Sequence, residues 1–273
     1  MNKVLTIAGS DSGGGAGIQA DIKSISANGA YAASAITAIT VQNTVGVRSV
    51  LPIPPQVIAD QIDAVMEDIG ADAIKIGMLH SAEVVEVVCR AIDRHKPRWV
   101  VLDPVMVSTS GHRLIEQEAI DTLCNDLIPR CSIITPNIPE AEIIDNSQIN
   151  SPLAMESVVR RITARFGVST LLKAGHIEGC DELTDLLCSA DRGAVEMLTA
   201  PFIKTRNTHG TGCTLSAAIA AQLANGLELV EAVKVAKKYL HNALVAGAGN
   251  NIGGGHGPVD HFYSGVFTST HLR

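Results

Sequence analysis

Short apolar runs alternate with amphipathic stretches along most of this chain, and that alternation restricts its fold more than any other feature. Residues 4–8, 33–41, 73–78, 99–102, 132–135 and 170–173 read as strands. Between the first two, Ile18, Ile22 and Ile25 recur at helical spacing until Gly29. Pro54 and Pro55 open a helix whose apolar face is Val57, Ile58, Ile62, Val65 and Ile69, and helices are expected over 82–94, 116–127 and 152–166. Strands this uniformly apolar need cover on both sides, so the pattern predicts an α/β fold, a mostly parallel central sheet with helices on both faces. Residues 45–53 are expected to form a short strand pair, and 185–188 with 195–198 an antiparallel edge. A helix over 229–245 and a glycine-rich tail at 253–258 follow, with no internal repeat and nothing of linker composition, so residues 1–273 are expected to be one domain.

Two glycine-rich turns punctuate this pattern. The later one, Asn207-Thr208-His209-Gly210-Thr211-Gly212-Cys213, runs into the alanine-rich stretch 217–224, which is strong helix-forming sequence. The first amides of a helix lack internal partners and carry the positive end of its dipole, so such a turn can close around a phosphate or oxyanion. Cys213 stands in that field, where a helix terminus is expected to lower a thiol pKa and favour the thiolate. The alternative is a glycine linker before a packed helix with a buried cysteine. The earlier turn, residues 9–17, follows the first strand. It lacks the Lys and Ser/Thr of a P-loop, and Ile18 occupies the place of the last glycine of GxGxxG, which disfavours a dinucleotide site.

Charge and composition narrow the partners. A net charge of −7 and 3% aromatic residues supply neither the basic footprint nor the stacking platform of a nucleic-acid binder, so a small molecule is expected. The six cysteines include no CxxC pair and no HExxH is present, which points to reduced thiols, a cytoplasmic setting and no structural zinc. The apolar run near residue 4 is too short for a secretory signal, and 32–41 is too short and too polar to span a bilayer, so no membrane partner is expected.

In an open α/β sheet, ligands bind beyond the carboxyl ends of the strands. Collected there are Asp11 and its glycine loop, Gln42, Gly77 with Met78, Asp103, Asn137 with Glu140, Lys173, and Gly210, Thr211, Gly212 and Cys213. That set suits phosphoryl transfer: Asp103 and Glu140 for Mg²⁺, directly or through water, Lys173 for a transferring phosphate, and the late amides for charge on the phosphoryl oxygens. Each residue has a plainer reading. Asp103 before Pro104 is also a turn residue, Asn137 a cap for a short helix starting near Pro139, and Glu140 a support for that cap. His209 and His176 read as loop histidines bonded to backbone, and His256, Asp260 and His261 as part of a solvated tail.

The string LTIAGSDSGGGAGIQAD at 5–21, residues 37–44, KIGM at 75–78, VLDPVM at 101–106, TPN at 135–137 with Glu140, and NTHGTGCTLS at 207–216 closely resemble the hydroxymethylpyrimidine/phosphomethylpyrimidine kinases of thiamine biosynthesis. The likeness runs from Leu5 to the Gly257-Pro258-Val259 tail. It implies a ribokinase-like fold and ATP- and Mg²⁺-dependent phosphorylation of 4-amino-5-hydroxymethyl-2-methylpyrimidine and then of its monophosphate. By position, the resemblance puts Gln42 on the pyrimidine, with Asp21, Thr40, Val105, Gly9 and Met78 around the ring and its hydroxymethyl group. It makes Gly210, Thr211, Gly212 and Cys213 the anion hole, with Cys213 as base. Asp103 and Glu140 would organise Mg²⁺, with Asp103, Asn137, Lys173 and Thr208 near the nucleotide, and the family suggests a homodimer.

Cysteine at 213, where most sugar kinases of the superfamily carry Asp, favours the pyrimidine branch. The chain departs from the family pattern in two places: Thr40 puts a hydroxyl where an aliphatic contact is common, and the segment Ser108-Thr109-Ser110-Gly111 differs in detail. Both bear on discrimination against pyridoxal-like substrates, whose kinases are the nearest rival reading. A non-catalytic pyrimidine or nucleotide sensor is the rival from another class, and retention of Asp103, Glu140 and Cys213 speaks against it.

Overall fold

In the computed structural model, which describes residues 1–106, 115–174 and 181–265, every strand joins one nine-stranded sheet. The strands are β1 (Lys3–Asp11), β2 (Tyr31–Asn43), β3 (Gly46–Pro52), β4 (Ala73–Ile76), β5 (Trp99–Leu102), β6 (Ile133–Ile134), β7 (Ser169–Leu172), β8 (Glu182–Cys188) and β9 (Val195–Pro201), in the spatial order β3-β2-β1-β4-β5-β6-β7-β8-β9. From β2 to β7 the neighbours are parallel, while β3 returns antiparallel on β2 and β8 and β9 close the other side antiparallel. The expected strand pair at 45–53 is thus a single strand hydrogen-bonded back to β2, and the expected strand at 132–135 shrinks to two residues.

The helices are α1 (Gly17–Ala27), α2 (Pro55–Asp68), α3 (Ala82–His95), α4 (Gln117–Thr122), α5 (Ile138–Asp145), α6 (Pro152–Phe166), α7 (Thr211–Ala224) and α8 (Leu229–Gly247). Side chains on successive strand residues face opposite ways, and the cores divide accordingly. Leu5, Ile7, Ile74, Ile76, Val100, Leu102, Ile134 and Leu172 pack with residues of α2, α3, α4 and α6. Val4, Ala73, Val101, Ile133 and Leu171 pack with residues of α1, α7 and α8. Past α4 the helix expected to reach Leu127 opens into a π turn and then a 3-10 turn carrying Pro129, whose ring cannot continue an α-helix.

Chain direction across the sheet reverses at β1: the connection to β2 goes one way and β4 lies on the other side. Such a switch point leaves a crevice beyond the strand ends. Alanines 217, 218, 220 and 221 are fully buried and let α7 lie close over β1, β4 and β5, so its amino terminus is delivered to that crevice.

Candidate active site

The two glycine-rich turns interlock. A Cβ on Gly210, which has φ of 77°, would collide with the carbonyl oxygen of Gly15, and one on Gly15 would strike the His209 ring. Only glycine permits both that backbone conformation and that approach. Asp11 ties the pair together: its Oδ1 accepts from the Gly13 amide at 2.8 Å, while its Oδ2 accepts from the amides of Gly15 and Ala16 at 3.1 and 2.9 Å and lies 2.8 Å from His209 Nε2. Burial works against the Asp11 carboxylate, but these donors outweigh it and hold its pKa below the usual range.

His209 also lies 3.4 Å from Gln42 Nε2, so the residue read as an ordinary loop histidine joins the late turn to the strand expected to meet the pyrimidine. Sequence spacing gave no sign of this, since 198 residues separate His209 from Asp11. Thr40 Oγ1 is 2.9 Å from the Ser10 carbonyl and 3.1 Å from Gln42 Oε1, two acceptors for its single proton, so its hydroxyl bonds one of them at a time. Gly9 and Met78 meet at the ends of β1 and β4, a Cβ on Gly9 falling 2.8 Å from Met78 Cε. Val105 forms a turn on Asp103 through its amide, at 2.8 Å.

Helix α7 starts at Thr211 with Gly210 as its cap and with neither a capping side chain nor an acidic residue in its first turn, so its first amides are not capped from within the helix. A Cβ on Gly212 would lie 3.1 Å from Asp103 Oδ2 and 3.3 Å from Lys173 Nζ. Lys173 donates to Asp103 Oδ1 at 2.8 Å, and Thr135 Oγ1 donates to the same oxygen at 3.0 Å. Burial disfavours the Asp103 carboxylate, yet Lys173 and Lys75 overcome it and depress its pKa. Lys173 is raised in turn, Asp103 and Glu140 outweighing its burial. The Thr208 carbonyl receives the Thr211 amide at 3.3 Å.

Asn137 and Glu140 take the plainer role as well as any other. Asn137 Oδ1 accepts from the Glu140 amide and Glu140 Oε2 from the Asn137 amide, both at 2.9 Å, a reciprocal cap on α5. The other Glu140 oxygen faces the Met106 amide at 3.4 Å, and burial with the nearby Asp103 charge pushes the carboxyl up to about 7 against the pull of Lys173. Among the described residues no cluster of three or more His, Cys, Asp or Glu side chains suited to a metal occurs.

Two residues stand in surroundings that their sequence context did not show. Asp21, placed beside the ring, is fully enclosed: its Oδ2 receives Thr6 Oγ1 at 2.6 Å and Lys75 Nζ at 2.8 Å, and its Oδ1 has no partner. The sequence hid this because Lys75 reads as one polar residue in an apolar strand, whereas period two turns it onto the α1 side with Thr6. Burial works against the Lys75 ammonium, but Asp21 holds its pKa above the ordinary range. The second is Cys213. The thiol is only partly exposed, and burial pushes it up to about 11, with Lys75 and an amide bond from Gly17 opposing and Asp21 and Asp103 reinforcing the rise. Desolvation therefore outweighs the pull of Lys75 and of the Gly17 amide on the thiol.

The tail is solvated only in part: His256 is exposed, Asp260 is half-buried and His261 is buried. Gly257 accepts the His209 amide at 3.1 Å, and His261 is buried with Nε2 3.0 Å from Thr214 Oγ1. His176 and the segment 108–111 lie outside the described residues.

Sequence and fold comparisons place the chain among known proteins. A phosphomethylpyrimidine kinase family model matches residues 11–260. The hydroxymethylpyrimidine/phosphomethylpyrimidine kinase of Rhizobium meliloti is 47% identical over 260 residues, covering 95% of this chain and 96% of that protein. The thiamine biosynthesis bifunctional protein of Geobacter sulfurreducens is 44% identical over 94% of this chain, which spans only 52% of that longer protein. Among solved structures, phosphomethylpyrimidine kinase from Clostridium difficile superposes with a TM-score of 0.79 at 42% identity, over 89% of this chain and 100% of that one. An ADP complex of Bacillus subtilis pyridoxal kinase superposes at 0.88 with 33% identity, over 97% and 98%. With a family match across both interlocked turns and the carboxylate they face, the chain belongs to the phosphomethylpyrimidine kinase family.

Proposed function

We propose that this chain, acting as one ribokinase-like catalytic domain, uses MgATP to phosphorylate 4-amino-5-hydroxymethyl-2-methylpyrimidine and then its monophosphate, yielding the pyrophosphate used in thiamine synthesis. The observation that carries this reading is that the α7 terminus faces Asp103 and Lys173 at Gly212, where a Cβ would fall 3.1 and 3.3 Å from them, while His209 of the same turn lies 3.4 Å from Gln42 on the acceptor side. Acceptor and phosphoryl donor would thus meet in one hollow, which is what an in-line transfer needs.

In this reading Gln42, with Thr40 beside it, hydrogen-bonds the pyrimidine, and Gly9, Met78 and Val105 border it. Asp21 supports from below through Lys75. The amides of Gly210, Thr211, Gly212 and Cys213 stabilise charge on the transferring phosphoryl oxygens, and Lys173 and Thr208, with Asn137, lie along the nucleotide phosphates. Asp103 and Glu140 would hold Mg²⁺: among the described residues Asp103 Oδ2 takes no hydrogen bond, while Glu140, occupied by backbone amides, would act through water. Bound there, the ion would neutralise phosphate charge. Cys213, in its thiolate form, takes the proton that the attacking hydroxyl loses. The five described cysteines are unpaired, and among the described residues no helix is long and apolar enough to cross a membrane, which supports the cytoplasm as the site of action.

A homodimer completes the reading. Edge strand β3 is exposed, and Ile39, Val41 and Leu51 lie on one face of the β2–β3 ribbon with 44%, 51% and 63% exposure, a surface suited to a second copy.

The test is a panel of acceptors supplied with MgATP and followed by ADP release: the pyrimidine alcohol, its monophosphate, pyridoxal and pyridoxine. Turnover of both pyrimidines is the expected result. Turnover of pyridoxal alone would move the chain to the rival kinase, and tight pyrimidine binding without turnover would make it a sensor.

A further inference from the structure

Among the described residues after α8 there is no helix or strand, yet residues 253–261 touch successive parts of the site. The Gly255 and His256 amides donate to Thr44 Oγ1 and the Thr44 carbonyl at 3.2 and 2.9 Å, two residues beyond Gln42. Gly257 packs on Asn207, where a Cβ would collide with Asn207 Oδ1, and its carbonyl accepts the His209 amide. Pro258 abuts Gly15 and pairs with His209. The Asp260 amide then donates to the Ala243 carbonyl of α8 at 3.0 Å, and a Cβ on Gly247 would stand 2.8 Å from that amide nitrogen.

The segment ends on His261. Its Nε2 lies 3.0 Å from Thr214 Oγ1, both residues being buried, and its carbonyl accepts Tyr239 Oη at 2.8 Å. Thr214 follows Cys213, and its amide closes the first turn of α7 on the Gly210 carbonyl at 2.8 Å.

We propose that residues 253–261 are a strap fixing the spacing between the acceptor corner at Thr44 and the amide turn at Gly210 to Cys213, with His261 a positioning residue that acts through Thr214. Amides aimed at developing charge help only while held in place, so a small displacement of that turn lowers transition-state stabilisation and leaves ground-state acceptor binding alone. Burial pushes the His261 ring down to about 4, so it is neutral at the pH of the assay and its bond to Thr214 does not titrate there.

The kinetic part of this proposal rests on the kinase reading, and its test has a second arm that does not. His261→Leu and Thr214→Val remove the bond from opposite ends, the second with little change of shape, whereas His261→Gln and Thr214→Ser keep it. For the pyrimidine alcohol with MgATP, the first two variants are expected to lower kcat by about ten-fold or more at unchanged acceptor KM. The double variant should be no slower than the worse single, and the bond-keeping pair should stay within about three-fold of the parent. In unliganded protein, hydrogen exchange at the Thr214, Leu215 and Ser216 amides should quicken in His261→Leu and Thr214→Val only. Equal kcat losses in bond-keeping and bond-removing variants, a rise in KM with kcat unchanged, or exchange indifferent to the bond would overturn the strap. A parent that turns over no pyrimidine would sink the kinase reading, and the exchange arm would still decide for or against the strap.

Discussion

The backbone of Gly212 lies directly against the carboxylate of Asp103, so close that a Cβ there would stand 3.1 Å from Oδ2. Gly212 and Gly210 therefore tolerate substitution differently, although Thr211 alone separates them. Gly212→Ala adds a methyl between Asp103 and Lys173 while gaining helix propensity, so kcat should fall by about 100-fold with no loss of melting temperature. Gly210→Ala meets the Gly15 carbonyl at a φ of 77° and should cost about 2 kcal/mol or more of stability in urea unfolding. Equal stability losses in the two would contradict the assigned geometry.

Asp11 gives a pH-dependent signature. Its folded pKa lies below its unfolded one, so the stability it contributes is complete above the unfolded value and is lost as pH falls through the folded value. Asp11→Asn should destabilise by about 2 kcal/mol near neutral pH, with the gap from the parent narrowing below about pH 4. Urea midpoints measured across that range decide it, and a gap that widens on acidification would reverse the assignment.

The fold was readable from the sequence to the extent that local periodicity determines it. Strand β5 and helix α6 fall where their apolar runs lie, because nothing interrupts the period. What escaped was set by tertiary placement. β6 shortens to two residues, and the 45–53 ribbon has its partner in β2 rather than within itself. In the site, the residues at strand ends were legible because topology alone brings them to one edge. His209 and Lys75 were not, since the role of each comes from a partner distant in sequence, Asp11 for one and Asp21 for the other.

Lys75 and Asp21 form a fully enclosed ion pair on the α1 side of the sheet. Breaking such a pair strands a charge, so Lys75→Met and Asp21→Asn should each cost about 3–5 kcal/mol, whereas the double variant should recover a large part of that loss. Unfolding free energies that add across the two sites would show that the groups do not interact.

The β2–β3 ribbon offers its exposed face to a second copy. Leu51→Lys combined with Val41→Lys puts charge on both strands of that face, and the parent should sediment as a dimer and the variant as a monomer. A parent that sediments as a monomer at micromolar concentration would remove the dimer from the reading, while a variant that remains a dimer would move the interface elsewhere.

Cys213 connects the electrostatics of the site to its chemistry. With its thiol pushed up to about 11, alkylation of Cys213 by iodoacetamide in the unliganded protein should rise about ten-fold per pH unit through neutrality and level off only near that value. Lys75 is the leading charge that favours the thiolate and Asp21 opposes it, so Lys75→Met should shift the profile to higher pH and Asp21→Asn to lower pH. At neutral pH the thiolate is then a minor species, about 1 part in 10⁴; the thiol must first release its own proton to solvent, and only that thiolate fraction can take the alcohol proton as the phosphoryl group is attacked. A phosphate monoester, with a second pKa of about 6, already presents an ionised oxygen and needs no base. Cys213→Ala keeps the turn's amides but removes the proton acceptor, so it should slow phosphorylation of the alcohol by about 10²–10⁴-fold and that of the monophosphate by less than about ten-fold. Single-turnover rates with each acceptor separate the two steps, and equal losses would leave Cys213 a spacer in the turn and assign the proton to another group.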